Sequence, residues 1–400
     1  MRQVRWASWT MAVAAVLLAG APHAAKADVT SDKAAAIVVW PIVNVAGPFG
    51  DDTLIQLSNT GTTPVEAHCF YLNANSHCSN TGEVCSIGAQ CCGGGGCGFC
   101  LPAWQETDFR IFLTPRQPIA WLASMGYTSC TQSQTPGEDR CIAIDGTSRK
   151  GVPGPDGLPT SNAGTRILPV PETPFIGELK CIVVDRSSGD PIKDPSANVL
   201  KGEAIIETAT NKLDVGKYNA IGIRALQAPN IGPRPNVLTL SNDVGEYEGC
   251  PNVLVLNHFF DNAWDPALDN GTSIFTWPVF VPCTEDFLQQ QPGTSIAQYL
   301  VFNEFEQRFS TSNTIQCFRA SGLSFIDTTQ PQNSIFNVGI SGTLVGQTRV
   351  SPIGSGLLAV ALEFHGQGPD GTTVRRVGQQ ADANVHYQGQ RATPDVITLP

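Results

Sequence analysis

Six of the thirteen cysteines fall between Cys78 and Cys100, in CSNTGEVCSIGAQCCGGGGCGFC, at the spacing C-x6-C-x5-C-C-x4-C-x2-C. Sulfur at this density binds metal, turns over redox equivalents or cross-links the chain. A zinc ribbon needs two C-x-x-C knuckles well apart, and only Cys97 and Cys100 make one. His68 and His77 stand beside Cys69 and Cys78, so a mixed site stays open on spacing alone. A redox C-x-x-C belongs in a βαβ setting that this chain lacks, and no C-x-x-C-H is present for haem. The four glycines from Gly93 to Gly96 suit a backbone crowded by bridges, where a Cβ has no room. Disulfide staples are the favoured reading for Cys78, Cys85, Cys91, Cys92, Cys97 and Cys100, although six cysteines allow 15 pairings. Cys130 and Cys141 bracket a turn-rich loop and are expected to join as well. Cys69, Cys181, Cys250, Cys283 and Cys317 form an odd set, with Cys250 the candidate for the unpaired thiol.

Carboxylates are the other chemical handle. In VFNEFEQRF, Glu304 and Glu306 lie two apart on an expected strand and so on one face. Two such groups can act as acid and base of a glycoside hydrolase, with Phe302, Phe305 and Phe309 to meet a sugar. The plainer reading is a solvated strand face paired with Arg308. Asp261, Asp265 and Asp269 recur every four residues in FFDNAWDPALDNGTS, a candidate calcium loop without the D-x-D-x-D-G order of a dedicated site. The histidines beyond residue 27 form no H-E-x-x-H, and neither G-x-S-x-G nor a phosphate-binding glycine loop occurs. The tryptophans, Trp40, Trp104, Trp121, Trp264 and Trp277 among them, suit a carbohydrate platform but more often fill a β core.

The elements that must position these groups read as strands. Only 15% of residues are charged, with 39 Gly and 29 Pro, a composition of short strands and turns. Residues 1–27 have a positive start at Arg2 and Arg5, an apolar stretch from Met11 to Gly20 and an A-x-A site at Ala25–Ala27, as a removable export signal does. Their removal takes three basic and no acidic residues, lowering the net charge from −11 to −14. Such a surface repels phosphate backbones, so nucleic acid is not the expected partner. No later stretch is apolar for long enough to span a bilayer as a helix. The mature chain is therefore expected to be secreted, periplasmic or on the cell surface.

Asp52 to Asn59 alternates apolar and polar residues, turns at Thr60–Pro64 and resumes at Val65, as paired half-buried strands do. The pattern returns late. Trp277-Pro278 echoes Trp40-Pro41, the run ending at Asn303 echoes the one ending at Asn59, and Thr314–Phe318 echoes Glu66–Phe70. Further strands are expected at 109–113, 119–122, 178–184 and 200–207, and at 335–341, 343–349 and 357–364. About 370 mature residues suit two domains. The division expected is 28–226 with the cysteine-rich insertion 78–100, a Pro/Gly-punctuated linker at 227–236, and 237–400.

The mid-cluster Cys91-Cys92 pair resembles small cystine-knot modules. D-T-x-I-x-L-x-N, a turn and a V-x-x-x-C-F strand, found in the first half and loosely in the second, resemble uncharacterised secreted bacterial proteins with an immunoglobulin-like β-sandwich. That resemblance implies an all-β fold of two tandem antiparallel β-sandwich domains and brings no activity or site residues. The function expected is non-catalytic: a cell-surface structural, adhesive or ligand-binding role toward a glycan or protein, with the secreted glycoside hydrolase as alternative.

Overall fold

The computed structural model describes residues 33–47, 50, 52–81, 83–85, 88–93, 96–101, 104–128, 130–131, 140–142, 148–150, 152–153, 159–160, 166–207, 215–226, 235–265, 272–367, 375–382 and 385–400. The proposed export signal and most of the 227–236 linker lie outside them. The described chain is all-β, built of several antiparallel sheets joined by short turns.

Two sheets carry the first half. One orders its strands Ile221–Ile223, Ile37–Val45, Phe175–Val184, Val65–Asn73 and Gln105–Leu113; the other orders Pro118–Leu122, Asp52–Asn59, Leu200–Glu207 and Val215–Asn219. The alternation read in Asp52–Asn59 is seen directly, with every second side chain buried. In contrast, all nine residues of Ile37–Val45 are buried, because the sheet containing them is covered on both faces. On one face Trp40 packs on Gly202 of the neighbouring sheet.

The second half supplies the cover for the other face. One of its sheets contains Thr272–Pro282 beside Leu357–Gln367, and their alternate side chains serve different cores. Val279, Val281, Leu358, Val360 and Leu362 join the core of the first half. Phe280, Leu357, Ala359 and Ala361 face a second core with Leu254, Leu256, Ala297, Tyr299 and Val301. The latter residues come from a sheet ordered Arg308–Gln316, Thr294–Asn303, Val345–Gly354, Pro251–Phe259 and Val385–Gln390. Leu238, Leu240, Tyr247 and Cys250, just beyond the expected linker, are themselves part of the first core. One apolar interior thus runs from the first half into the second.

Two expectations change. Residues 335–341 form no strand: Asn337 accepts a hydrogen bond from the Gly339 amide, Gly342 adopts φ 73°, and between them Val338–Ser341 closes one helical turn. A cap at each end outweighs the β-branched residues. Glu304 and Glu306 also leave the strand. Thr294–Asn303 ends before them and Arg308–Gln316 begins after them, so both sit in the hairpin turn.

Candidate functional site

The cysteine-rich segment is a lobe spliced between two neighbouring strands. Asn73 ends one strand directly opposite Gln105, which begins the next, so the insertion leaves the sheet and returns without disturbing it. Within the lobe, Ser76–Cys78 pairs with Val84–Cys85 on one side and Cys100–Leu101 on the other. Cys78 bonds to Cys91, Cys85 to Cys100 and Cys92 to Cys97. The adjacent cysteines Cys91 and Cys92 therefore take different partners. Cys78, Cys85 and Cys91 lie close enough for a metal, but their sulfurs are spent in disulfides.

A partly buried polar clasp fixes the lobe to the body. Glu172 Oε1 accepts from Asn73 Nδ2 at 2.7 Å and from Asn75 Nδ2 at 2.6 Å, and Oε2 lies 2.8 Å from His77 Nε2. Burial pushes the Glu172 carboxyl up, but the bonds from Asn75, Asn73 and His77 outweigh it and hold the group below the usual carboxylate range. At the return, Trp104 stacks on Phe287 with centroids 6.0 Å apart.

Among the residues the lobe exposes are three large apolar ones. Phe99 is 76% exposed, Leu101 51% and Val84 41%. Val84 and Leu101 are the register partners of His77 on the two strands that flank it, and Phe99 lies two residues before Leu101. Hydrogen bonds between Ser79 and Phe99 hold that edge in register. Sequence reasoning passed over these three residues. The available signal was a large aromatic in C-G-F-C, inside a segment too small to bury it.

The other candidates are placed differently. Glu304 and Glu306 line an open depression of about 390 Å³ with Phe302, Val345 and Gln347. Glu304 Oε2 accepts from the Leu344 amide at 3.2 Å, and Glu306 holds φ 60° in the turn. Both carboxylates are exposed. Asp261 is buried and accepts from the amides of Ser324 and Thr276 and from the Ser324 hydroxyl. Burial pushes its carboxyl up to about 6, against those hydrogen bonds. Asp261 thus ties the Ser324 and Thr276 segments together, while Asp265 is described in its backbone alone and Asp269 lies outside the described residues.

His258 is also a core group: its ring meets Thr348 Oγ1 at 2.8 Å and the Phe259 carbonyl at 3.0 Å, and burial pushes it down to about 4. The backbone register sets Cys130 opposite Cys141, while their side chains lie outside the described residues. Cys250 is bonded to Cys283, and Cys69 to Cys181. The free thiol among the described residues is Cys317, where burial pushes the pKa up. Cys250 was the wrong choice because Cys283, 33 residues on, folds back against it. No described helix is long and apolar enough to cross a membrane. Compared with known protein families, curated proteins and solved structures, the chain matches none of them.

Proposed function

We propose that this chain is an exported, non-catalytic protein of two immunoglobulin-like β-sandwich units, which binds an extracellular or cell-surface ligand through its stapled lobe. The observation that carries the reading is the exposure of Phe99, Leu101 and Val84 on a lobe pinned by three disulfides. Exposed apolar groups on a monomer surface mark contact sites when they cluster. Disulfides that hold them in place remove the ordering cost a flexible loop meets on binding. The several disulfides agree with an oxidising compartment, as the export signal requires.

The test is retention of labelled mature protein on intact cells of its source. The double change Phe99→Ser and Leu101→Ser is expected to abolish saturable retention while leaving the melting temperature unchanged. Unaltered retention overturns the reading. The hydrolase alternative rests on the depression beside Glu304 and Glu306. It requires turnover on a glycan panel that Glu304→Gln and Glu306→Gln remove.

A further inference from the structure

The strand FIGELKCIVV places two charged side chains, Glu178 and Lys180, inside an otherwise apolar run. Two apart, they point to the same face, the one covered by the second half. There Lys180 Nζ contacts Glu285 Oε2 and lies 3.2 Å from Glu178 Oε1, with each of the three side chains 1% exposed. Phe70 and Phe287 stack 4.3 Å apart beside them, and Nζ is 5.8 Å from the Phe287 centroid. Oε2 of Glu178 and Oε1 of Glu285 accept no hydrogen bond among the described residues.

As ions the three groups sum to one negative charge, sealed from water with acceptors unfilled. Such a cluster is costly, because lost hydration exceeds what one ammonium returns. One added proton neutralises it. Burial pushes the Glu178 carboxyl well above its usual range, and the neighbouring Glu285 charge adds to this; burial also raises Glu285. Lys180 is held up by the same two carboxylates against its own burial. The fully uncharged arrangement available to the neutral cluster is an amine between two carboxylic acids.

We propose that Lys180 Nζ and the Glu285 carboxyl join in an intramolecular amide, with Glu178 as proton carrier, cross-linking the two halves through the buried core. The amine lone pair attacks Cδ of Glu285. Glu178 passes the amine proton to the departing hydroxyl, the C–O bond breaks as the C–N bond forms, and one water leaves. Nothing is oxidised or reduced, and Glu178 ends in the protonation state in which it began. Holding the partners in contact supplies an effective concentration of about 10⁵–10⁸ M. The dry aromatic wall withholds the water that would reverse the step. The product replaces two buried ionisable groups by one dipole, whose N–H can donate to Glu178. Both partners are anchored: Glu285 follows the Cys250–Cys283 bridge and pairs with Ile397, and Lys180 sits mid-strand.

The experiment is the intact mass of the full mature chain after reduction and alkylation, followed by tryptic mapping. The mass is expected to fall one water below that of the sequence, with the Lys180 peptide joined to the Glu285 peptide and no cleavage after Lys180. Glu178→Gln is expected to restore the full mass. A wild-type chain at full sequence mass, or a lost water placed elsewhere, overturns the proposal. The wild-type mass needs no variant to fold, and it is independent of the binding role of the lobe.

Discussion

Asn59 and Asn303 do the same work in the two halves. Asn59 Oδ1 accepts from the Gly61 amide at 2.9 Å, and Nδ2 donates to the Thr63 carbonyl at 2.8 Å. Asn303 Oδ1 accepts from the amides of Phe305 and Gln307 at 3.0 and 2.9 Å, and Nδ2 donates to the Ser341 carbonyl at 2.7 Å. Each buried asparagine ends a strand and organises the turn after it. Beyond that turn the halves part. In the first, Val65–Asn73 crosses to the other sheet and pairs with Phe175–Val184, where Cys69 faces Cys181. In the second, Arg308–Gln316 returns as a hairpin beside Thr294–Asn303. Cys317, which echoes Cys69, then stays a buried free thiol, while its backbone amide donates to the Gly293 carbonyl. The odd cysteine is the trace of that divergence: a local sequence echo does not fix which sheet a strand joins.

The two echoing cysteines should therefore differ in what their loss costs. Cys69→Ser with Cys181→Ser opens a cross-link spanning 112 residues and is expected to cost about 4–5 kcal/mol in urea titrations. Cys317→Ala, at the echoing position, is expected to cost about 1 kcal/mol. Equal costs would break the contrast.

A second contrast concerns pH. Asp261, raised to about 6 when folded, binds its proton more tightly than in the unfolded chain, where about 3.9 is usual. The stability this gives is complete below the unfolded value and lost as pH rises through about 6. Measured against Asp261→Asn, wild type should therefore lose up to about 3 kcal/mol between about pH 4 and 6. His258, lowered to about 4, acts in the opposite sense over the same window, so the comparison must be with the variant. A flat difference would mean that Asp261 does not titrate there. The smallest effect is expected at Glu304→Gln and Glu306→Gln, within about 0.5 kcal/mol of wild type in stability.

Much of the fold was legible. Period-two alternation in Asp52–Asn59 and the Gly/Pro turn after it follow directly from sequence, as do the strands around Phe109, Leu200 and Leu357. The helical turn at Val338 was not, because its capping contacts reside in two small residues, Asn337 and Gly342. Glu304 and Glu306 were misplaced for a related reason: Asn303 read as one more strand residue, whereas its side chain closes the turn. The site was less legible than the fold. Lobe spacing pointed to cross-links, but exposure of Phe99 depends on which sulfurs pair and which way the small sheet faces. The Lys180 cluster left a clear sign, charges within an apolar strand, yet its partner Glu285 lies 105 residues away.

Each half also offers an exposed phenylalanine outside a strand, Phe99 at 76% and Phe305 at 72% exposure, the first in the disulfide-pinned lobe and the second in a turn held by Asn303. Retention of Phe99→Ser and Phe305→Ser proteins on source cells, measured side by side, puts the binding role to its sharpest test. Binding through the lobe predicts a large loss for Phe99→Ser and wild-type retention for Phe305→Ser. Loss confined to Phe305→Ser, or none in either, would contradict it.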